Sequence, residues 1–138
     1  NAVAPGKRML SSMIPTLVLD RSGRVMMAVG GRGGPRIISS VTQTIVNVID
    51  HRMSIADAIS APRLHHQALP DTIRYERDGM LPGTVLELQA MGYGLRPWGS
   101  GVAVSPAGNL GSVNGILRVG NRLTGFSDPR AGGKPATP

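Results

Sequence analysis

A chain of 138 residues carrying 15 Lys+Arg against 8 Asp+Glu fits one domain, or a large piece of one, and can bury roughly two-thirds of its unfolded surface. The absence of cysteine excludes disulfides, zinc–thiolate sites and a thiol nucleophile, and no apolar run approaches the ~18 residues of a membrane-spanning helix. With aromatics at 3% the core has to be aliphatic, and 19 Gly with 11 Pro announce many short elements separated by turns.

Residues 1–7 have no periodicity, helix cap or strand start, and read as an irregular segment in the middle of a structure. In Lys7-Arg8-Met9-Leu10-Ser11-Ser12-Met13 two adjacent hydroxyls stand beside a basic pair. Ser O–H and main-chain N–H groups all donate, so such a stretch can hold a carboxylate, but the same residues can also close a Ser-rich turn on their own backbone. Expected strands at 16–19 and 24–29 flank Asp20-Arg21-Ser22-Gly23, a hairpin signal with Gly at the left-handed position. Both strands are apolar on successive residues, which predicts a central hairpin covered on both faces.

Gly30-Gly31-Arg32-Gly33-Gly34-Pro35-Arg36 then reads as a turn between a strand and a helix. Such a turn presents backbone N–H groups at the positive end of a helix dipole, and can cradle a phosphate, a carboxylate or an oxyanion, or serve as a connection only. It matches neither GxxxxGK[ST] nor GxGxxG. Residues 37–50 carry a helical apolar period, with Pro35 suited to the first turn. Ser54-Ile55-Ala56-Asp57 resembles a capping box opening a short helix that Pro62 stops. His65 and His66 fall in an extended segment on opposite faces, which suits structural or surface histidines better than a shared metal. A strand at 72–76, a helix from Leu81 to Met91 stopped by Gly92, and short strands near 95–97, 102–104, 115–119 and 122–124 complete the chain, with a turn at 106–109. The order β-β-α-α-β-β-α followed by three or four strands predicts an α+β fold, and 131–138 reads as a flexible tail.

Several blocks, in this order, carry a family resemblance. Pro5-Gly6-Lys7-Arg8-Met9-Leu10-Ser11-Ser12-Met13, the glycine turn with Arg36-Ile37-Ile38, Val46-Asn47-Val48-Ile49-Asp50, Ala61-Pro62-Arg63, His65-His66-Gln67 with Leu69-Pro70-Asp71, and Ser127-Asp128-Pro129-Arg130 are similar to blocks of the γ-glutamyltranspeptidases. The resemblance implies an N-terminal-nucleophile hydrolase, a four-layer αββα sandwich of which this chain is a partial share. It implies that 1–130 is the C-terminal part of a small subunit released by self-cleavage, with a large subunit and the rest of the small subunit as partners. It further implies γ-glutamyl transfer or hydrolysis without a cofactor or metal, in a periplasmic or secreted setting. The donor is a γ-glutamyl amide such as glutathione, and the acceptor is water, an amino acid or a dipeptide. Carried over by position, Ser11 and Ser12 would bind the glutamyl α-carboxylate, Gly33 and Gly34 would supply oxyanion-hole N–H groups, and Arg8 would shape the pocket. The nucleophilic Thr of the family lies upstream of Pro5, so the chain alone is expected to be inactive.

Arg32 and Pro35 depart from the family pattern, which commonly has Pro and a small residue there, and the tail lacks the usual Gly-Tyr ending. Two other classes compete: a relative on the same scaffold, either a cephalosporin- or glutaryl-type acylase or a poly-γ-glutamate-handling enzyme, and a non-catalytic basic module using the +7 charge on a polyanion. The Ser pair favours a free glutamyl α-carboxylate over the first. The dispersed arginines suit a solvated or partner-facing surface better than a nucleic-acid footprint, which disfavours the second.

Overall fold

The computed structural model describes residues 2–98 and 110–135. The strand expected at 102–104 and the turn at 106–109 lie outside the described residues. Strands β1 (Thr16–Leu19) and β2 (Val25–Arg32) precede helices α1 (Arg36–Ile49) and α2 (Ile55–Ser60). Strands β3 (Leu64–His65) and β4 (Ile73–Tyr75), helix α3 (Pro82–Ala90), and strands β5 (Leu95–Pro97), β6 (Ser112–Val119) and β7 (Arg122–Ser127) follow. The expected order holds, with three strands after α3 among the described residues.

The strands form a four-stranded antiparallel sheet in the order β1-β2-β6-β7 and a three-stranded sheet in the order β3-β4-β5, where β4 and β5 run parallel. One face of the larger sheet is the core. Met27 and Val29 of β2 and Val113 of β6 pack there against Ile37 and Val41 of α1 and Ile55 and Ile59 of α2. Each such side chain contributes roughly 1.5–3 kcal/mol on burial, which holds a β-branched helix whose own propensity is modest.

Local chemistry sets the ends of these elements. Gly23 takes a φ of +80° in the β1–β2 hairpin, and Asp20 Oδ1 accepts from the N–H groups of Ser22 and Arg24 at 2.8 and 3.0 Å. These hydrogen bonds, Ser22's hydroxyl first, lower the Asp20 carboxyl to about 2. Ser54 Oγ accepts from Asp57 N at 3.1 Å and its hydroxyl donates to Asp57 Oδ2 at 2.6 Å, so Asp completes the cap of α2 where Glu is usual. Gly92, at φ +94°, ends α3.

Two expectations fail. Among the described residues β1 is an edge strand, not a central one, and exposure alternates along it: Leu17 and Leu19 stand out while Val18 packs towards the core. Continuous apolarity therefore marks two apolar environments, one covered by helices and one bare in this chain. The bare face carries Leu17, paired with Ala28, and Ile116, paired with both Ala28 and Gly125. A sheet with helices on one face and an uncovered apolar surface on the other is one α layer and one β layer of an αββα sandwich. The second failure is the stripe of α3, of which only Val85 and Leu88 are half-buried while Leu81 and Met91 are exposed.

Candidate functional site

The glycine-rich stretch is not one loop. Gly30, Gly31 and Arg32 belong to β2 and pair with Asn114, Val113 and Ser112 of β6, because an eight-residue partner strand satisfies their backbone in a ladder. The turn narrows to Gly33-Gly34-Pro35, with Pro35 capping α1 at φ −57°. Gly33 (φ +141°) and Gly34 (φ +61°) occupy backbone regions that side chains disfavour, and a Cβ on Gly33 would stand 2.8 Å from Gly111 Cα. Ser40 Oγ, within 2.6 Å of Arg36 O and 2.7 Å of Leu110 O, ties the first turn of α1 to the segment that crowds Gly33.

The amides of Gly33 and Gly34 donate to no partner among the described residues, whereas the carbonyl of Gly34 accepts from Ile37 N at 3.0 Å. Two adjacent, unbonded N–H groups thus stand at the positive end of a 14-residue helix whose first turn has no acidic residue. This arrangement can stabilise a negative oxygen.

Ser11 and Ser12 lie in the irregular segment before β1, Ser11 exposed and Ser12 half-buried. Ser11 Oγ accepts from Met13 N at 3.3 Å, so the turn on its own backbone forms. The antiparallel register, Thr16 opposite Val29, sends the residues upstream of Thr16 towards the C-terminal end of β2. That is the end at which Gly33 and Gly34 stand, so the topology directs the Ser pair and the glycine turn to one end of the sheet. Half-buried Ile14, packed on the core, anchors the connection. Arg8 has no ion pair among the described residues, and its cavity of about 360 Å³ is built from residues 2–10 alone.

The two histidines are held by neighbours. His65 is buried, its Nδ1 2.7 Å from Ser39 Oγ and its Nε2 2.8 Å from Gln67 Oε1. His66 points outward, with Nε2 2.9 Å from Asp71 Oδ1. Among the described residues no cluster of His, Asp and Glu has the makings of a metal site, and no helix is long and apolar enough to cross a membrane.

Two arrangements are not foreshadowed by local pattern. The first is a buried ionic knot. Arg63 Nη2 lies 2.8 Å from Asp128 Oδ2, with the two side chains 2% and 0% exposed. Arg130 makes a forked contact with Glu76 at 2.9 and 2.6 Å and reaches Asp128 Oδ1 at 3.2 Å. Both arginines also donate to Ile59 O, and Arg130 to the carbonyls of Ser60 and Ala61, so they satisfy the free carbonyls at the negative end of α2. Burial pushes the Asp128 carboxyl up, but the N–H groups of Arg130 and Val113 and the charge of Arg63 outweigh it and hold the group below its ordinary value. The knot binds α2, β4 and the end of β7 into one body.

The second is a cavity of about 240 Å³ beside the glycine turn, into which Pro35, Arg36, Arg74 and Trp98 face. Arg36 Nε donates to Gly33 O at 3.1 Å, and its guanidinium carbon lies 5.0 Å from the Trp98 ring centroid. Arg36 directly follows the turn, the one sequence signal available for it; nothing local marks Arg74.

Fold and turn together define one class, a layer pair of the N-terminal-nucleophile hydrolases. The family profile described as Gamma-glutamyltranspeptidase matches residues 1–137. The glutathione hydrolase proenzyme of Pseudomonas aeruginosa is 44% identical over 135 residues, covering 96% of this chain and 23% of the relative, and that of Escherichia coli is 44% identical over 133 residues, covering 95% and 21%. The γ-glutamyltranspeptidase of Pseudomonas nitroreducens, solved in complex with L-DON, superposes with a TM-score of 0.80 at 42% identity, covering 99% of this chain and 67% of that one. The chain belongs to the γ-glutamyltranspeptidase family, and it spans under a quarter of the length of these curated relatives.

Proposed function

We propose that residues 1–130 are the C-terminal part of a γ-glutamyltransferase small subunit, with 131–138 as its tail, and that the complete protein transfers or hydrolyses γ-glutamyl groups of glutathione and similar amides. In this reading an N-terminal Thr outside the chain attacks the γ-glutamyl carbonyl. Its hydroxyl proton passes to a nearby base and then to the departing amine, and a glutamyl ester remains. Water, an amino acid or a dipeptide then takes the acyl group and restores the hydroxyl.

The amides of Gly33 and Gly34 donate to the oxygen that becomes negative in both steps. Ser11 and Ser12 donate to the α-carboxylate of the glutamyl group, and Arg8 adds positive charge to the mouth of that pocket. The large subunit and the rest of the small subunit complete the site. The observation that carries this reading is the pair of unbonded glycine amides at the start of α1, with the Ser segment directed towards them by the β1–β2 register.

The test is release of 4-nitroaniline from a γ-glutamyl anilide by the complete, processed protein, with this chain alone as control. The complete protein is expected to release the dye and the chain alone none. The double variant Ser11→Ala/Ser12→Ala is expected to raise KM about ten- to a hundredfold, since hydrogen bonds to a charged group are lost. No release by a folded, processed assembly, or release indifferent to the double variant, defeats the reading. Cleavage of a glutaryl anilide in preference to the γ-glutamyl one would place the protein with the acylases.

A further inference from the structure

We propose that the cavity beside the glycine turn is a carboxylate-binding subsite, in which Arg36 and Arg74 hold the terminal carboxylate of the peptide that leaves or accepts the γ-glutamyl group. The inference rests on the reading above and extends it from the glutamyl side of the scissile bond to the other side.

Charge balance is the first ground. Arg36 and Arg74 are both half-buried and line one cavity of about 240 Å³. Neither has an acidic partner among the described residues, and no Asp or Glu lines the cavity. Asp71, adjacent to the lining residue Thr72, is exposed and turned to His66. Half-buried guanidinium groups without a counter-ion lose solvation that no opposite charge offsets, so the cavity favours an anion.

Pre-organisation is the second. Arg36 is held from two sides, through Nε to Gly33 O and through its plane over Trp98, which leaves its terminal nitrogens as oriented donors. Trp98 itself is among the residues lining the cavity, so the ring that holds Arg36 also forms part of the wall. His65, also in the lining, has both ring nitrogens engaged by Ser39 and Gln67 and does not compete.

Position is the third. Pro35 and Arg36 follow Gly34 directly, so the cavity begins where the proposed oxyanion site ends. In a dipeptide leaving group the carboxylate lies two residues from the scissile nitrogen, roughly 6–7 Å when extended. A planar fork of N–H donors fits a carboxylate in two parallel hydrogen bonds.

The experiment uses the complete, processed protein and two donors: γ-glutamyl 4-nitroanilide, and the same anilide with a 3-carboxylate on its leaving group. The quantity read is the ratio of kcat/KM values, which general damage to the site does not move. Arg74→Gln is expected to lower the preference for the carboxylated anilide about tenfold or more, and Arg74→Lys, which keeps the charge and loses the fork, to lower it less. Acceptors are compared in the same way with glycylglycine and glycylglycinamide. A parallel drop shows that acceptors use the subsite, and a drop with anilides alone restricts it to leaving groups. If wild type cleaves both anilides and neither Arg74 variant moves either ratio, the subsite is refuted while the γ-glutamyl reading survives. If wild type cleaves neither anilide, both fall together.

Discussion

Arg63 and Arg130 sit in the interior with Asp128 and Glu76 around them, whereas Arg36 and Arg74 line an open cavity with no acid within ion-pair distance among the described residues. The residue type is the same and the electrostatic setting is opposite. In the first region the fold supplies the counter-charge and helix-end carbonyls, so every positive group is matched and the arginines act as fasteners. In the second the fold supplies only orientation, through Gly33 O and the Trp98 ring, and the counter-charge has to come from outside. A half-buried arginine thus reads as structural or as ligand-binding according to whether its own chain neutralises it.

Removing one partner of the matched region should have the largest effect. Asp128→Ala leaves the 2%-exposed Arg63 uncompensated and is expected to cost about 3–5 kcal/mol in a urea titration, enough to abolish soluble protein. Arg74→Gln, by contrast, is expected to cost less than about 1 kcal/mol, because no ion pair is broken; an equal loss from both variants would erase the distinction between the two regions.

The glycine turn between the two regions tests chemistry. Gly33→Ala places a Cβ 2.8 Å from Gly111 Cα and forces the turn to shift. The expected result is a fall of roughly 10²–10³ in kcat for γ-glutamyl anilide hydrolysis, the scale of a lost oxyanion donor. A rise in KM with kcat unchanged would remove this turn from the reacting centre.

Acid should act on the matched region first. The folded-state value of Asp128 lies below its unfolded value of about 3.9, so the folded state binds this proton less tightly than the unfolded state does. Its stabilisation is complete above about pH 4 and is lost as pH falls through the lower folded value. Melting temperature followed from pH 6 to pH 2 should therefore drop at the acid end, and Asp128→Asn should flatten part of that drop. The smallest effect belongs to neither region. Ser54→Ala removes the cap of α2 and is expected to cost about 1 kcal/mol, read as a shift in the urea midpoint.

Local chemistry was legible in the residues alone. The Gly23 hairpin, the Ser54–Asp57 cap, Pro35 at the head of α1 and Gly92 at the end of α3 all follow from interactions that span a few residues, and they appear where the sequence places them. The order of elements and the family were also readable, because ordered blocks run along nearly the whole chain.

What only the tertiary structure decided is who stands opposite whom. Apolar runs do not say whether a strand lies at the centre or at the edge, since both a helix layer and a bare sheet face call for Leu and Val; β1 lies at the edge of the sheet that the described residues form. Glycines do not say whether they turn or pair, and Gly30 and Gly31 paired because β6 lies beside them. Nor does an arginine carry any mark of its counter-charge. Arg63 meets Asp128, and Arg130 meets Glu76, across long stretches of chain, while Arg36 and Arg74 share a cavity and meet no acid among the described residues. Charge pairing is a property of distance in space, and only the folded chain sets that distance.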